Sequence, residues 1–219
     1  KGPLCINNVA AFLAPPLLEQ PRIMRNTKNE VRIDVESEGA DIYYTTDGTE
    51  PTAQSAKYEA PFTLDKKGTV KAITYDAQSA KTGPVAIRHF DLPAADYKVV
   101  SPVDERTNLM FDGNGYSTYY LPEGKNEIAV ELAAPHTISG FIYTPNQGRD
   151  SQGHISNYQL LVDGKVVASG EFSNIKHNPI EQEIRFAPVK GQKLVFKATR
   201  IVDNVKRVGI AEFSVITED

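Results

Sequence analysis

The run Asp112-Gly113-Asn114 sets a carboxylate and a carboxamide on either side of a glycine, the oxygen-rich tight turn that suits a hard cation such as calcium. It is not an EF-hand loop, which needs further acidic positions and a closing Glu, and Tyr116 stands where a ligand would be. The plain alternative is that Asp112 caps its own turn. A second group follows Pro145, where Asn146, Gln147, Arg149, Asp150 and His154 fall between two apolar runs. Planar side chains of this kind make paired hydrogen bonds to vicinal hydroxyls, while an aromatic face packs on pyranose C–H groups. Tyr116 or Tyr119 would supply that face. The set fits saccharide chemistry, against the alternative of a solvated loop rim. The chain has no Trp, the largest stacking platform, so weak binding is expected.

Little else has the spacing for chemistry. Glu181 and Glu183 could imitate a glycosidase acid and base, but alternate residues of a strand share one face, and a solvated face beside Ile184 and Phe186 accounts for them better. His89 is read as ending a strand, His136 as following Pro135 in a turn, and His177 as solvated beside Asn178-Pro179. No GxSxG, HExxH, P-loop or dinucleotide-binding pattern is present. One cysteine, Cys5, leaves no internal disulfide and no zinc spacing. A net charge of −4, with Lys and Arg scattered singly, gives no footprint for nucleic acid or anionic lipid. Membrane insertion is not expected either, because Ile6–Leu13 is too short and interrupted.

The elements that must position these groups are strands. With 219 residues, 40% apolar and 24% charged, the chain has the length and composition of two globular domains. Residues 1–20 read as a linker or the remnant of a preceding domain, and the start at Lys1 as that of an excised fragment. Ile6, Val9, Ala10 and Leu13 have helical spacing, which Pro15-Pro16 ends within a turn or two. Residues 21–92 alternate as short strands: Val31, Ile33 and Val35, then Ile42 to Tyr44 before the turn Thr46-Asp47-Gly48-Thr49, then Thr69–Tyr75 and Val85–Phe90. Residues 96–219 form a second series, with candidates at Ile128–Leu132, Thr137–Thr144, Ile155–Val162, Lys165–Ala168, Ile184–Phe186, Leu194–Ala198 and Ile210–Ile216. Asp163-Gly164 is a strong hairpin signal. Only Asp91–Asp96 separates the halves, so limited domain motion is expected. The fold class read from this pattern is all-β, two sandwiches in tandem.

The segment from Gly39 to Thr52, with Tyr43-Tyr44-Thr45-Thr46-Asp47-Gly48-Thr49-Glu50-Pro51-Thr52 at its centre, resembles the immunoglobulin-like C-terminal domain of bacterial chitobiases and β-hexosaminidases. Ser55, Tyr58, Pro61-Phe62, and Gly68, Val70 and Ala72 continue the likeness, which covers about Pro21 to Leu92 and implies a spacer or docking domain. The second half resembles a discoidin, or coagulation-factor C-type, domain of galactose-binding-like jelly-roll form. Phe111-Asp112-Gly113-Asn114 with Thr118 and Tyr120, the strand ISGFIYTP ending at Pro145, GHISNYQLLVDG from Gly153 and AEFSV from Ala211 carry it, from about Tyr97 to Ile216. Tyr120 or Tyr119 stands where that family has Trp, and Gly115-Tyr116 lengthens the first loop by a residue.

These resemblances imply a buried, structural calcium ion with Asp112, Asn114, Thr118, Ala211 and Glu212 as ligands, and glycan contacts from Tyr116, Asn146, Gln147, Arg149 and His154. They imply a non-catalytic, carbohydrate-binding or targeting fragment of an exported glycoside hydrolase, β-hexosaminidase/chitobiase-like or α-L-fucosidase-like. Its partners would be glycans and the catalytic domain of the same polypeptide, in the periplasm, on the outer surface or outside the cell. The competing reading is a purely structural or protein-interaction pair of domains supporting the catalytic domain. An enzyme in its own right would need two carboxylates facing across a cleft.

Overall fold

A computed structural model describes residues 18–36 and 39–218. Cys5 and the helical pattern expected over Ile6–Leu13 lie outside the described residues. Among those described, strands are interrupted only by turns, loops and three short 3-10 segments, Ala94–Asp96, Thr107–Phe111 and Val202–Asn204.

The first sandwich packs two sheets. Strands β1 (Arg22–Arg25), β2 (Glu30–Asp34) and β5 (Phe62–Thr63) form one; β4 (Ala56–Lys57), β3 (Asp41–Thr45), β6 (Gly68–Asp76) and β7 (Lys81–Thr82) form the other, with β8 (Ala86–Phe90) also on β6. Alternation sets the inward face: Val31 and Ile33 are buried while Arg32 between them is exposed. They meet Ile23, Leu64, Val70, Ala72, Ala86 and Phe90 in one apolar core. The turn after β3 is held by the Asp47 carboxylate, which accepts from the Thr49 amide at 3.0 Å and its hydroxyl at 2.6 Å. His89 lies within β8 and hydrogen-bonds Thr69 through Nδ1 at 2.8 Å.

The second sandwich is built from β9 (Tyr97–Ser101), the short β10 (Tyr119–Tyr120), β11 (Glu127–Thr144), β12 (Ile155–Val162), β13 (Lys165–Glu171), β14 (Gln182–Ile201), β15 (Gly209–Ile210) and β16 (Glu212–Thr217). The order is β13-β12-β14-β11-β16, with β9 on β11 and a separate β10–β15 pair. Two expected pairs of strands are each one long strand. The runs Ile128–Leu132 and Thr137–Thr144 join as β11, and Ile184–Phe186 and Leu194–Ala198 join as β14. Pro135 does not break the sheet because the ladder skips there: the register shifts between Glu131 and His136, and again between Ile138 and Gly140. His136 is therefore in a strand, not a turn. Such irregularities bend a strand and raise its local twist. Phe141, Tyr143, Tyr158, Phe172, Phe196 and Phe213 form its aromatic centre, each worth roughly 1.5–3 kcal/mol when fully buried. Asp163 and Gly164 both have positive φ, 46° and 80°, as a type I′ hairpin requires.

The two sandwiches touch along their junction. Asp91 accepts from the Thr217 amide and hydroxyl at 3.0 and 2.7 Å, Lys67 reaches the Thr217 carbonyl, and Arg88 pairs with Glu181. Arg25 braces the first domain's side by donating to the carbonyls of Leu64, Asp91 and Leu92 at 3.3, 3.0 and 2.8 Å.

Candidate functional site

The Asp112 turn lies at the mouth of the second sandwich, where the 3-10 segment ending at Phe111 meets β16. Asp112 does cap its turn: its carboxylate accepts from the Asn114 amide at 2.9 Å and from the Ser117 hydroxyl at 2.9 and 2.8 Å. It also faces Glu212, ninety-eight places on from Asn114, whose Oε1 takes the same Asn114 amide at 2.9 Å. The Glu212 carboxyl is pushed up to about 9, by burial first, then by its hydrogen bond to Asp112 and the charge of that neighbour. Two carboxyl groups held this close need a proton or a cation between them.

Thr144 adds an observation that no local pattern announced. It is the cross-strand partner of Glu212, and its buried hydroxyl has no hydrogen-bond partner. Paired residues of an antiparallel ladder share a face, so an orphaned oxygen lies beside the carboxyl pair. Among the described residues no three His, Cys, Asp or Glu side chains cluster as a metal site, so further ligands would be hydroxyl and carbonyl oxygens, which calcium accepts. The other expected ligands are close in the fold. Thr118 accepts from the Asn146 carboxamide, the Asn114 side chain caps the Tyr116 amide at 3.1 Å, and buried Ala211 donates its amide to the Thr144 carbonyl at 3.0 Å. The donor set fits a calcium ion in its chemistry.

The expected glycan residues divide. Asn146 and His154 spend their polar atoms on the loop itself. Asn146 donates to the Tyr116 carbonyl at 3.2 Å and accepts from the Gly148 amide at 2.6 Å; His154 is buried, its Nε2 3.1 Å from the Asn146 carbonyl and 3.0 Å from the Ser151 hydroxyl. Burial lowers the His154 pKa, against an opposing contribution from the Asn146 hydrogen bond. These two therefore shape the rim instead of presenting donors to a ligand. Gln147 and Arg149 are exposed, as is Tyr116. The Arg22 guanidinium of β1 lies 5.7 Å from the Tyr116 ring centroid and covers one side of it. Tyr119, the alternative stacking residue, is wholly buried and offers no surface.

Backbone hydrogen bonds tie the loop segments of this rim together. The Gln147 amide donates to Gly115, Leu121 to Val208, Gly209 to Gly153, Val202 to His154 and Phe172 to Ser156, at 2.8–2.9 Å. The Tyr143 hydroxyl, deep in the core, accepts from the Ile155 amide and reaches the Gly209 carbonyl, both at 3.1 Å, fastening two of the loops from beneath. The rim holds two open clefts. One, of about 280 Å³, includes Asn174, Ile175, His177, Arg200 and Asn204 in its walls; the other, of about 490 Å³, lies between the segments at Tyr120 and Arg207. Ser151 and the Tyr120–Arg207 contact were not anticipated, because they depend on loop closure rather than on spacing. Elsewhere Glu183 pairs with Arg185, as Glu181 does with Arg88.

The geometry defines an all-β chain of two sandwiches with a loop rim at one end of the second. The family described as Fn3 associated matches residues 31–88, within the first sandwich. Among solved structures the chain is similar to a family 32 carbohydrate-binding module of a family 31 glycoside hydrolase from Clostridium perfringens, at 18% identity over 57% of this chain and 93% of that one, TM-score 0.48. The family 32 module of Clostridium perfringens NanJ, in complex with galactose, matches at 18% identity over 56% of this chain and 95% of that chain, TM-score 0.48. The C-terminal domain of a chitobiase from Bacteroides fragilis matches at 16% identity over 57% and 95%, TM-score 0.46. No curated protein matches the chain in sequence.

Proposed function

We propose that the second sandwich is a glycan-binding module and that the chain is a non-catalytic part of an exported glycoside hydrolase, chitobiase/β-N-acetylhexosaminidase-like or α-L-fucosidase-like. Its place would be the periplasm, the outer surface or outside the cell. The module would raise the effective concentration of substrate at a catalytic domain on the same polypeptide. The observation that carries this reading is the rim: loops cross-tied by backbone hydrogen bonds that leave Gln147, Arg149 and one side of Tyr116 open to solvent. Ordered loops bind with less entropy cost, and an exposed guanidinium and an exposed aromatic ring on one rim suit a sugar's hydroxyl and C–H faces. Calcium would be structural, held by the carboxylates of Asp112 and Glu212 with oxygens of Asn114, Thr118 and Ala211, and it would supply rigidity to the turn beneath the rim.

Calorimetric titration with galactose, N-acetylgalactosamine, N-acetylglucosamine and fucose oligosaccharides tests the reading. Arg149→Ala should weaken binding by roughly 1–3 kcal/mol with the melting temperature unchanged, and Tyr116→Ala should act similarly through lost stacking. Wild-type affinity in both variants would move the site to the cleft at His177 and Asn204. No saccharide bound at all would favour the second reading, a structural pair supporting a catalytic domain, which the ties at Asp91–Thr217 and Arg88–Glu181 make physically reasonable.

A further inference from the structure

We propose that the rim cleft between Tyr120 and Arg207 is a subsite for an acidic sugar residue, one carrying a uronate carboxylate or a sulfate ester. The inference rests on the glycan-binding reading above and names the chemical class that one part of the rim selects. The cleft, about 490 Å³, falls within the size range of small-ligand sites and has Asp104, Arg106, Tyr120, Glu123, Lys206 and Arg207 in its walls.

The contact that decides its chemistry is the Arg207 guanidinium, centred 4.0 Å from the middle of the Tyr120 ring. A neutral pyranose would dock its C–H face on that ring, and the guanidinium occupies the place. What the cleft presents instead is a planar cation held over the ring. Its N–H fork matches the two oxygens of a carboxylate or sulfate. Stacking also removes much of the side chain's freedom before a ligand arrives, so less entropy is lost on binding. The Leu121 amide, donating to the Val208 carbonyl at 2.9 Å, ties the two walls together.

The local charge agrees. Arg106 is balanced by Asp104, 3.7 Å away, whose carboxylate also takes the Arg106 amide at 2.8 Å. Lys206 and Arg207 have no carboxylate within ion-pair distance among the described residues, and Glu123 alone opposes them at the cleft wall. The cleft wall thus holds three cationic side chains against two carboxylates in a chain of net charge −4, a local balance that favours an anion there. Glu123 remains as an acceptor for the hydroxyls of the same ring.

The test is calorimetric titration of the whole chain with three saccharides of equal length: a trigalacturonate for the carboxylate, a sulfated trigalactoside for the sulfate, and the neutral trigalactoside. Short defined ligands avoid the general attraction of long polyanions. At least one acidic ligand should bind about tenfold tighter than the neutral one, the value expected for one charge-assisted hydrogen bond, and added salt should reduce the advantage. The arm that responds identifies the source of the charge. Arg207→Gln should abolish the preference while leaving affinity for the neutral ligand in place, and Arg207→Lys should restore only part of it. Equal affinity for all three, or a preference that survives both Arg207→Gln and Lys206→Gln, overturns the acidic subsite while the glycan reading stands. No binding by any of the three overturns the acidic subsite, and the glycan reading falls with it only if the N-acetylhexosamine and fucose oligosaccharides also fail to bind.

Discussion

Glu212 joins the Asp112 turn to the last strand, and its chemistry gives the sharpest prediction about a single residue. Its carboxyl shares a hydrogen bond with Asp112 in a buried setting, beside the orphaned hydroxyl of Thr144. A calcium ion binding there would favour the folded state by mass action, with about 2.7 kcal/mol gained at a hundredfold excess over Kd. Calcium should therefore raise the melting temperature by several degrees, chelation should reverse the gain, and Asp112→Ala should remove the response. Identical melting curves for the wild type in calcium and in chelator would remove the ion from the account. His154 adds a pH-dependent contribution of its own, opposite in sign to that of the raised Glu212 carboxyl. Burial depresses the His154 pKa below the ordinary value near 6.5, so the unfolded chain takes up its proton first as pH falls. The contribution of His154 to stability is then fully present above about pH 6.5 and is lost as pH drops toward the lowered folded value. Relative to His154→Gln, the wild type should lose melting temperature between pH 7.5 and 5. Parallel curves would show that the imidazole does not titrate across unfolding.

At the scale of elements, the strands were readable and the loops were not. Alternation at Val31–Ile33, the Asp163-Gly164 hairpin and the Glu212–Thr217 strand each follow from local sequence, because burial of one face imposes a period of two. The joining of two runs into β11 was hidden, since a proline within a strand usually ends it and only the shifted register accommodates Pro135. The sequence pointed to the rim loop but not to the division of labour within it: which of Asn146, Arg149 and His154 faces solvent depends on closure against the 113–118 segment. Gly113 marks where that segment meets the first sandwich. Its φ is +75°, and a Cβ there would lie 2.4 Å from the Arg25 carbonyl oxygen; Gly124 has nearly the same φ, +77°, with open space around it. Gly124→Ala should cost only the left-handed strain, roughly 1–2 kcal/mol. Gly113→Ala should cost clearly more, and equal losses in the two variants would mean that the turn does not press on β1.

Over the whole molecule, the junction is what ties the two sandwiches together. Asp91–Thr217, Arg88–Glu181 and Arg22 over Tyr116 link side chains far apart in sequence, and such pairings leave no periodic trace from which they could be read. The tandem all-β organisation was legible; the way the first sandwich lends Arg22 to the rim of the second was not. The most direct measurement of the central claim is backbone NMR chemical-shift mapping of the full chain titrated with galactose- and N-acetylhexosamine-containing oligosaccharides. Saturable shifts are expected in residues 113–123, 145–154, 172–178 and 202–208, with strands of the first sandwich away from β1 unaffected. Saturating sugar that moves no rim resonance, or moves only those of β3, β6 and β8, would contradict that claim.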